Sequence, residues 1–413
     1  MKAYDALVIG GGPAGASAAR LLAGAGWSVA LVEKAGFPRR KVCGEFISAT
    51  SLPWLRRLGV AESFLAQAGP EIRQVGLYAG AATLAAEMPC PVLTGAEPEP
   101  ETQRYGRALG REHLDALLLA AAARAGAELW QPWAMTGIER RNHDFECTAV
   151  ASGTRETARL SARIVIAAHG SWERGSLPTQ APPPPARASD LFAFKAHFRH
   201  GDVPQALMPL LAFPGGYGGL VNTDRGRTSL SCCIRRDTLA GCRARWPRLR
   251  AAEAVFMHLR GACRGVDLVL ASATLEGAWL SAGPIRPGLR MFHQEGLFAI
   301  GNAAGEAHPI VAEGISMAIQ SAVLLCERLI AQRDAVFAGP GRAAVGRAYA
   351  TAWRRHFAHR VYAAAVFAQL AMRPLATGLA VALLERAPSL LTAGAGWAGK
   401  ARSLGDARIA GAA

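Results

Sequence analysis

Near the start of the chain, Gly10-Gly11-Gly12-Pro13-Ala14-Gly15 stands between an apolar run, Ala6-Leu7-Val8-Ile9, and an Ala-rich stretch of helical character. Glu33 follows eighteen residues after Gly15 and closes a second apolar run, Val29-Ala30-Leu31-Val32. Strand, glycine turn, helix, strand and terminal acid, in that order, predict a Rossmann-like unit for a dinucleotide. Gly10 permits the tight turn, Gly12 lets backbone approach a pyrophosphate, and Gly15 lets the helix pack on the sheet. Pro13 suits a first helical turn, where a missing N–H has no cost. From Ala14 onward the helix start aims free N–H groups and a partial positive charge at phosphates. Glu33, followed by Lys34, is placed to accept bonds from ribose hydroxyls. Gly394-Ala395-Gly396-Trp397-Ala398-Gly399 repeats the glycine spacing with no strand before it and no acid after it, and reads as a Gly/Ala-rich loop or helix end. Context, not spacing, therefore carries the first assignment.

A chain of 413 residues suits about two domains with ample core. Its eight cysteines form no C-x-x-C pair and no zinc spacing, so no metal is expected. The first strand begins almost at Met1, which leaves no room for a signal peptide. Together these point to a reduced, cytoplasmic setting. The net charge is +15, and the segment 341–413 contributes ten basic against two acidic residues. That excess predicts an acidic partner: an anionic membrane surface, with peripheral attachment at the inner membrane, an acyl carrier protein, or a charged substrate tail. The rival explanation is a solvated Arg-rich surface, since only five residues are Lys. Nucleic acid is not expected, because no basic run is interleaved with aromatics.

Residues 48–69 read as helix and turn, and 71–105 as short strands followed by a Pro/Glu-rich loop, Pro91 to Glu101. A helix is predicted over 111–125, with strands at 145–150 and 158–168. The proline run Pro182 to Pro185 marks a hinge. Beyond it, Phe192, Phe194, Ala196 and Phe198 share one face of a strand, and Lys195, His197 and Arg199 the other. Strands at 220–221 and 229–234 and a helix at 248–262 make this block a mainly antiparallel sheet. A buried strand runs into Gly301, and a helix covers 313–333. From 343 to 393 the chain is helical and apolar. The stretch 361–384 is long enough to cross a bilayer, but Arg373-Pro374 sits in its middle, which favours two helices lying across the protein. The expected fold is α/β (α+β). A discontinuous nucleotide-binding domain takes 1–75, 106–180 and 290–335, a substrate domain 76–105 and 186–289, and a helical C-terminal region 336–413.

Three further segments carry a family resemblance. They are Arg39-Arg40-Lys41-Val42-Cys43-Gly44-Glu45, Arg111-Glu112-His113-Leu114-Asp115, and Gly301-Asn302-Ala303-Ala304-Gly305-Glu306-Ala307-His308-Pro309 leading to Glu313-Gly314-Ile315. Their order and spacing resemble the FAD-dependent superfamily of p-hydroxybenzoate hydroxylase, the flavin-dependent halogenases and the geranylgeranyl reductases, over roughly residues 1–335. Lys41, Cys43 and Gly44 match the Lys-x-Cys-Gly motif of the geranylgeranyl reductase group. The resemblance implies an FAD cofactor touched by Lys41, Cys43, Arg111, Gly301, Asn302, Ala303, Gly314 and Ile315, with Asp115 bracing its helix. Asn302 stands where the superfamily has an Asp on the ribityl chain. The helix from Gly314 is expected to present its positive end to the flavin N1/O2 edge.

Three departures matter. His169 replaces the Asp of the Asp-Gly motif tied to FAD and NAD(P)H binding, which weakens the hydroxylase reading. The Trp-x-Trp-x-Ile-Pro motif of halogenases is missing. The cavity motif Tyr-x-Trp-x-Phe-Pro of geranylgeranyl reductases corresponds to the region Phe213 to Leu220, where Gly219 falls at the Trp. Candidates for chemistry are Cys43 facing the flavin, His308 as proton donor after hydride transfer, and Tyr217 over the flavin. Each has a plainer alternative as an inert thiol, a structural imidazole or a core phenol. Glu313 is expected to cap the helix that follows it. The leading reading is a reductase or dehydrogenase moving hydride between flavin N5 and a carbon–carbon bond of an apolar or carrier-bound substrate. The rivals are a flavin monooxygenase acting on an aromatic or polyketide, and a non-catalytic flavin carrier.

Overall fold

Alternation along Lys2–Ile9 sends Ala6 and Val8 into one core cluster and Leu7 and Ile9 into another, so both faces of this strand are covered. A helix, Pro13–Gly24, leads from it to the neighbouring strand Val29–Val32. The computed structural model describes residues 1–90, 104–171, 175, 177–180, 185–290 and 292–400. The Pro/Glu-rich loop and residues 182–184 of the proline run lie outside the described residues.

Among the described residues two large sheets form. In the first, Lys2–Ile9 lies between Val29–Val32 and Thr157–Ala167, with Leu297–Ala299 beyond the latter, and all these pairings are parallel. Their register aligns Ile9 with both Val32 and Ala167, and Ala167 with Ala299. The four strands therefore end level, and the segments opening at Gly10, Glu33, Ala168 and Ile300 emerge along one edge. Helices Pro13–Gly24, Arg111–Arg124 and Gly314–Ala331 cover one face through Leu22, Leu118 and Ile319. The last of these is long and apolar enough to cross a bilayer, yet most of it is buried as a core helix.

The second sheet has seven strands in the order 274–285, 191–199, 228–235, 216–222, 207–213, 74–79, 82–87, antiparallel except where 207–213 meets 74–79. On Leu191–Arg199, Phe194, Ala196 and Phe198 pack against Val255 and Leu259 of the helix Ala251–Ala262. The opposite face carries Lys195 and His197, both fully buried. The helix expected over 248–262 begins at Ala251 and is flanked by two that the sequence reading lacked, Arg236–Arg245 and Arg264–Val269.

At the C-terminal end, Gly341–Ala371 and Pro374–Arg386 are separate helices bent by 103° at Arg373-Pro374. Proline without an N–H breaks the helical ladder there. Ser389–Ala395 follows, and Gly396–Lys400 closes as a wide helical turn.

Candidate functional site

The level strand ends open onto a cleft enclosing about 2010 Å³ of empty space, open solvent included, roofed by the antiparallel sheet. Ligands of doubly wound sheets bind at the carboxyl ends of the strands. Ile9, Val32, Glu33, Ala168, His169 and Gly301 line it from below, and Met208, Leu210, Tyr217, Gly219 and Val221 from the roof.

The first turn depends on two glycines. Gly10 has φ +105°, and a Cβ there would sit 2.6 Å from the Ala168 carbonyl oxygen. A Cβ on Gly15 would lie 1.9 Å from the Gly10 carbonyl oxygen, so helix and strand touch through bare backbone. Gly12 differs, because its Cβ would meet only Arg111 Nη2, at 3.7 Å. The space beside Gly12 is open, and the helix that starts at Pro13 has no side-chain cap. Free N–H groups at a helix start favour an anion. Pro13, Ala14 and Lys34 line the same cleft.

Cations face that helix start. Arg39, Lys41 and Arg111 all line the cleft. Burial, then the charges of Arg111 and Arg39, push the Lys41 ammonium down to about 8. A cation cluster of this kind suits a diphosphate, as do the open space at Gly12 and the uncapped helix. The Glu33 carboxylate accepts from the backbone of Gly11 (2.7 Å) and Ala35 (2.9 Å), which fixes it at the strand end. Asp115 lies one turn along the same helix from Arg111, and both its oxygens accept from that guanidinium, at 2.7 Å each, which ties the helix's first turn and aims the cation.

At the other end of the cleft, Gly301 has φ +57° and Asn302 lines the wall. The Asn302 amide donates to Glu306 (2.9 Å), and Arg290 donates to the Asn302 carbonyl oxygen (2.9 Å) and to Glu306 (3.3 Å). Burial raises the Glu306 carboxyl, against the pull of Arg290. Ala303, assigned to the cofactor from sequence, is instead packed in the core and does not line the cleft, because the 3₁₀ turn Gly301–Ala303 turns Asn302 outward and Ala303 inward. Gly314 and Ile315 line the cleft at the start of the helix Gly314–Ala331. Glu313 does not cap this helix as expected. Its carboxylate is drawn away to Ser48 (3.4 Å) and to Lys400 (3.5 Å), which leaves the helix N–H groups open to the cleft.

Cys43 is half-buried, receives a hydrogen bond from the Glu45 N–H (3.4 Å) and is hydrogen-bonded by Arg111. Tyr217 and His308 meet through the phenol oxygen and Nδ1 at 3.0 Å. Burial pushes the Tyr217 phenol well up and the His308 imidazole down to about 4. The phenol therefore keeps its proton, and the imidazole stays neutral at pH 7. His169 makes two contacts at 2.9 Å, Nδ1 with the Gly170 carbonyl and Nε2 with Thr179 Oγ1.

Sequence reasoning missed the polar cluster that ties the Lys41–Glu45 loop to the roof. Glu45 pairs with Lys195, and its other oxygen lies 2.8 Å from His197 Nε2. His197 Nδ1 receives Arg40 (3.2 Å) and Arg227 (3.3 Å), and Arg227 reaches Glu112 (3.0 Å) and Asp224 (2.6 Å). Lys195 also donates to the Lys41 carbonyl oxygen (3.3 Å). The alternation of Lys195 and His197 with buried phenylalanines was the available signal, since a charged face inside a sheet must meet partners.

Level parallel strand ends, two uncapped helix starts and a cation cluster under an antiparallel roof define a flavin-nucleotide oxidoreductase. The chain belongs to the FAD binding domain family, which matches residues 3–364. It is an FAD-dependent enzyme, and its relatives include reductases and halogenases. It is 31% identical over 173 residues to a digeranylgeranylglycerophospholipid reductase of Thermoplasma acidophilum, a match covering 41% of this chain and 40% of that protein. It is 35% identical over 125 residues to a menaquinone reductase of Mycolicibacterium smegmatis, covering 30% of this chain and 28% of that one. These matches span less than half the length of either relative. A myxobacterial chondrochloren halogenase superposes with a TM-score of 0.72 at 20% identity over 86% of this chain and 80% of that one, which shows a shared fold.

Proposed function

We propose that the protein is an FAD-dependent reductase or dehydrogenase that moves hydride between flavin N5 and a carbon–carbon bond of an apolar or carrier-bound substrate. Bound FAD supplies the hydride chemistry; the protein supplies orientation, exclusion of water and proton placement. Gly10 to Ala14, Lys41 and Arg111 would hold the diphosphate, Glu33 the ribose, and Asn302 with the start of the Gly314 helix the flavin end. The observation that carries the reading is the Tyr217–His308 pair beside the apolar cleft wall formed by Met208, Leu210, Val221 and Ile310. An apolar chain fits beside those side chains, and the phenol–imidazole pair, uncharged at rest, can give one proton, which leaves a phenolate to be reprotonated before the next turnover. The two reductase relatives, named for isoprenoid lipids or quinones, support the same substrate class.

The test is anaerobic. The bound flavin is photoreduced, and digeranylgeranylglycerophospholipid or menaquinone is added in separate runs. Recovery of oxidised-flavin absorbance with a product that has gained two hydrogens across a carbon–carbon double bond, and not as a quinol, supports the proposal. Recovery only after oxygen is admitted, with an oxygen atom in the product, assigns a monooxygenase instead. No reaction in either condition leaves a flavin carrier.

A further inference from the structure

We infer that the helix Pro374–Arg386 is a docking face for an anionic lipid bilayer. Its sequence is apolar almost throughout, yet none of its residues is buried. A helix apolar all round belongs inside a core or in contact with lipid. Leu375, Leu379 and Leu383 recur every four residues and are 87%, 75% and 56% exposed. Along the preceding helix Tyr362, Val366 and Leu370 repeat the same spacing, also exposed. Among the described residues, eight of the thirteen exposed large hydrophobics lie between 362 and 397, so the apolar surface is concentrated rather than scattered.

Charge selects the occupant. Exposed Arg373 and Arg386 bracket the leucine stripe, and Arg347, Arg354 and Arg355 are exposed on the preceding helix. Glu385 is the one acidic residue in the sequence from 341 to 400. Leucines bounded by arginines fit an interface in which acyl chains take the stripe and anionic headgroups the guanidinium groups. The 103° bend at Arg373-Pro374 fits a helix lying in the interface rather than a straight span.

The other side of this C-terminal layer forms part of the cleft's surroundings. Ala364, Ala368 and Met372 pack in one cluster with Tyr217 and Ile310, and Leu391 and Ala395 pack with Met208 and Val221. A consequence, which rests on the reductase reading, is that an apolar substrate passes from bilayer to cleft without crossing water.

The experiment is vesicle co-sedimentation of the full-length FAD-loaded protein. Native protein is expected to bind phosphatidylglycerol vesicles at least tenfold better than phosphatidylcholine vesicles. Leu375→Glu with Leu379→Glu, and separately Arg373→Glu with Arg386→Glu, are each expected to lower that binding at least tenfold, with circular dichroism and flavin absorbance unchanged. Three results overturn the proposal: no vesicle binding by native protein, undiminished binding by both variants, or a native dimer that the leucine variant dissociates. Failure of the reductase reading alone would remove turnover of detergent-dispersed and vesicle-borne substrate alike. Loss of docking removes only the latter.

Discussion

Glu45 and Lys195 form an ion pair in which neither side chain is exposed, joining the cysteine-bearing loop to the middle of the roof sheet. Glu45 holds this place with φ 65°, in the left-handed region that a side chain seldom adopts. Although burial alone would raise the carboxyl, the Lys195 charge and the His197 hydrogen bond hold it well below its ordinary value of 4.5. Removing one partner leaves the other charge buried. Glu45→Gln or Lys195→Met is therefore expected to cost about 3–5 kcal/mol in urea unfolding at pH 7. Replacing both by apolar residues should cost less than the sum of the two. Because the folded carboxyl titrates lower than the unfolded one, its contribution is complete above pH 4.5 and declines below it. Glu45→Gln should accordingly show a shallower loss of stability on acidification than native protein.

The nucleotide turn separates a packing glycine from a binding glycine. At Gly15 a methyl group would run into the Gly10 carbonyl oxygen, whereas at Gly12 it would enter open space toward Arg111. Gly12→Ala should fold with a native circular dichroism spectrum and lose FAD affinity at least tenfold in a fluorescence titration. Gly15→Ala should lose several kcal/mol of stability along with the cofactor, roughly the scale of overpacking with no room to relax. Equal folding of both variants with equal FAD affinity would contradict this division.

Lys41 gives the cofactor site its own pH signature. Without an anion, burial and the neighbouring arginines pull its ammonium down to about 8, so the cation is present below that pH and lost above it. A diphosphate prefers the charged form. FAD affinity should therefore fall as pH rises through 8, and Lys41→Met should bind more weakly at pH 7 with no such fall. Titrations of native protein and variant between pH 6.5 and 9.5 decide the matter.

What the sequence made legible was local. Gly10, Gly15 and Glu33 sit in one short stretch, and each is recognisable from its neighbours alone, as is the bend at Arg373-Pro374. The alternation of Leu191–Arg199 gave its two faces but not what the charged face met, because Glu45 lies 150 residues away and only the packed fold brings it to Lys195. Glu313 looked like a helix cap for the same reason: Ser48 and Lys400, which claim its carboxylate, are remote in sequence. Ala303 was read with its motif, and only the backbone turn reveals that it points inward. Local backbone chemistry is written in adjacent residues, whereas burial and long-range pairing depend on register and on which faces meet.

His308 and Tyr217 make a test of proton placement. With the imidazole pushed down to about 4, His308 is neutral in the folded protein over the range where an unfolded histidine becomes charged. Its contribution to stability is therefore lost as pH falls from about 6.5 to 4. An NMR titration should show the His308 ring neutral down to about pH 4. Turnover should show no step from His308 between pH 6 and 8. Tyr217→Phe removes the phenol hydrogen-bonded to Nδ1, and it should lower kcat on the order of 10²-fold, typical of a lost general-acid contribution, with FAD affinity unchanged.

Gly219 leaves room for a side chain in the cleft wall. It lies on the roof strand Gly216–Asn222, and a Cβ there would meet only the Pro209 carbonyl oxygen, at 3.5 Å, an ordinary contact. Its neighbour Gly218 is different: a Cβ would come within 2.5 Å of the Ser231 carbonyl oxygen. Backbone therefore tolerates a side chain at 219 and refuses one at 218. An indole at 219 would extend into the cleft that Gly219 lines beside Tyr217. Gly219→Trp should keep its fold and its FAD, and lose turnover of long apolar substrates at least tenfold through a raised KM, while short ones are spared. Gly218→Trp should fail to fold. A Gly219→Trp enzyme with unchanged KM for a long isoprenoid would mean that the substrate does not pass this wall, and the proposed binding mode would have to move to the opposite side of the cleft.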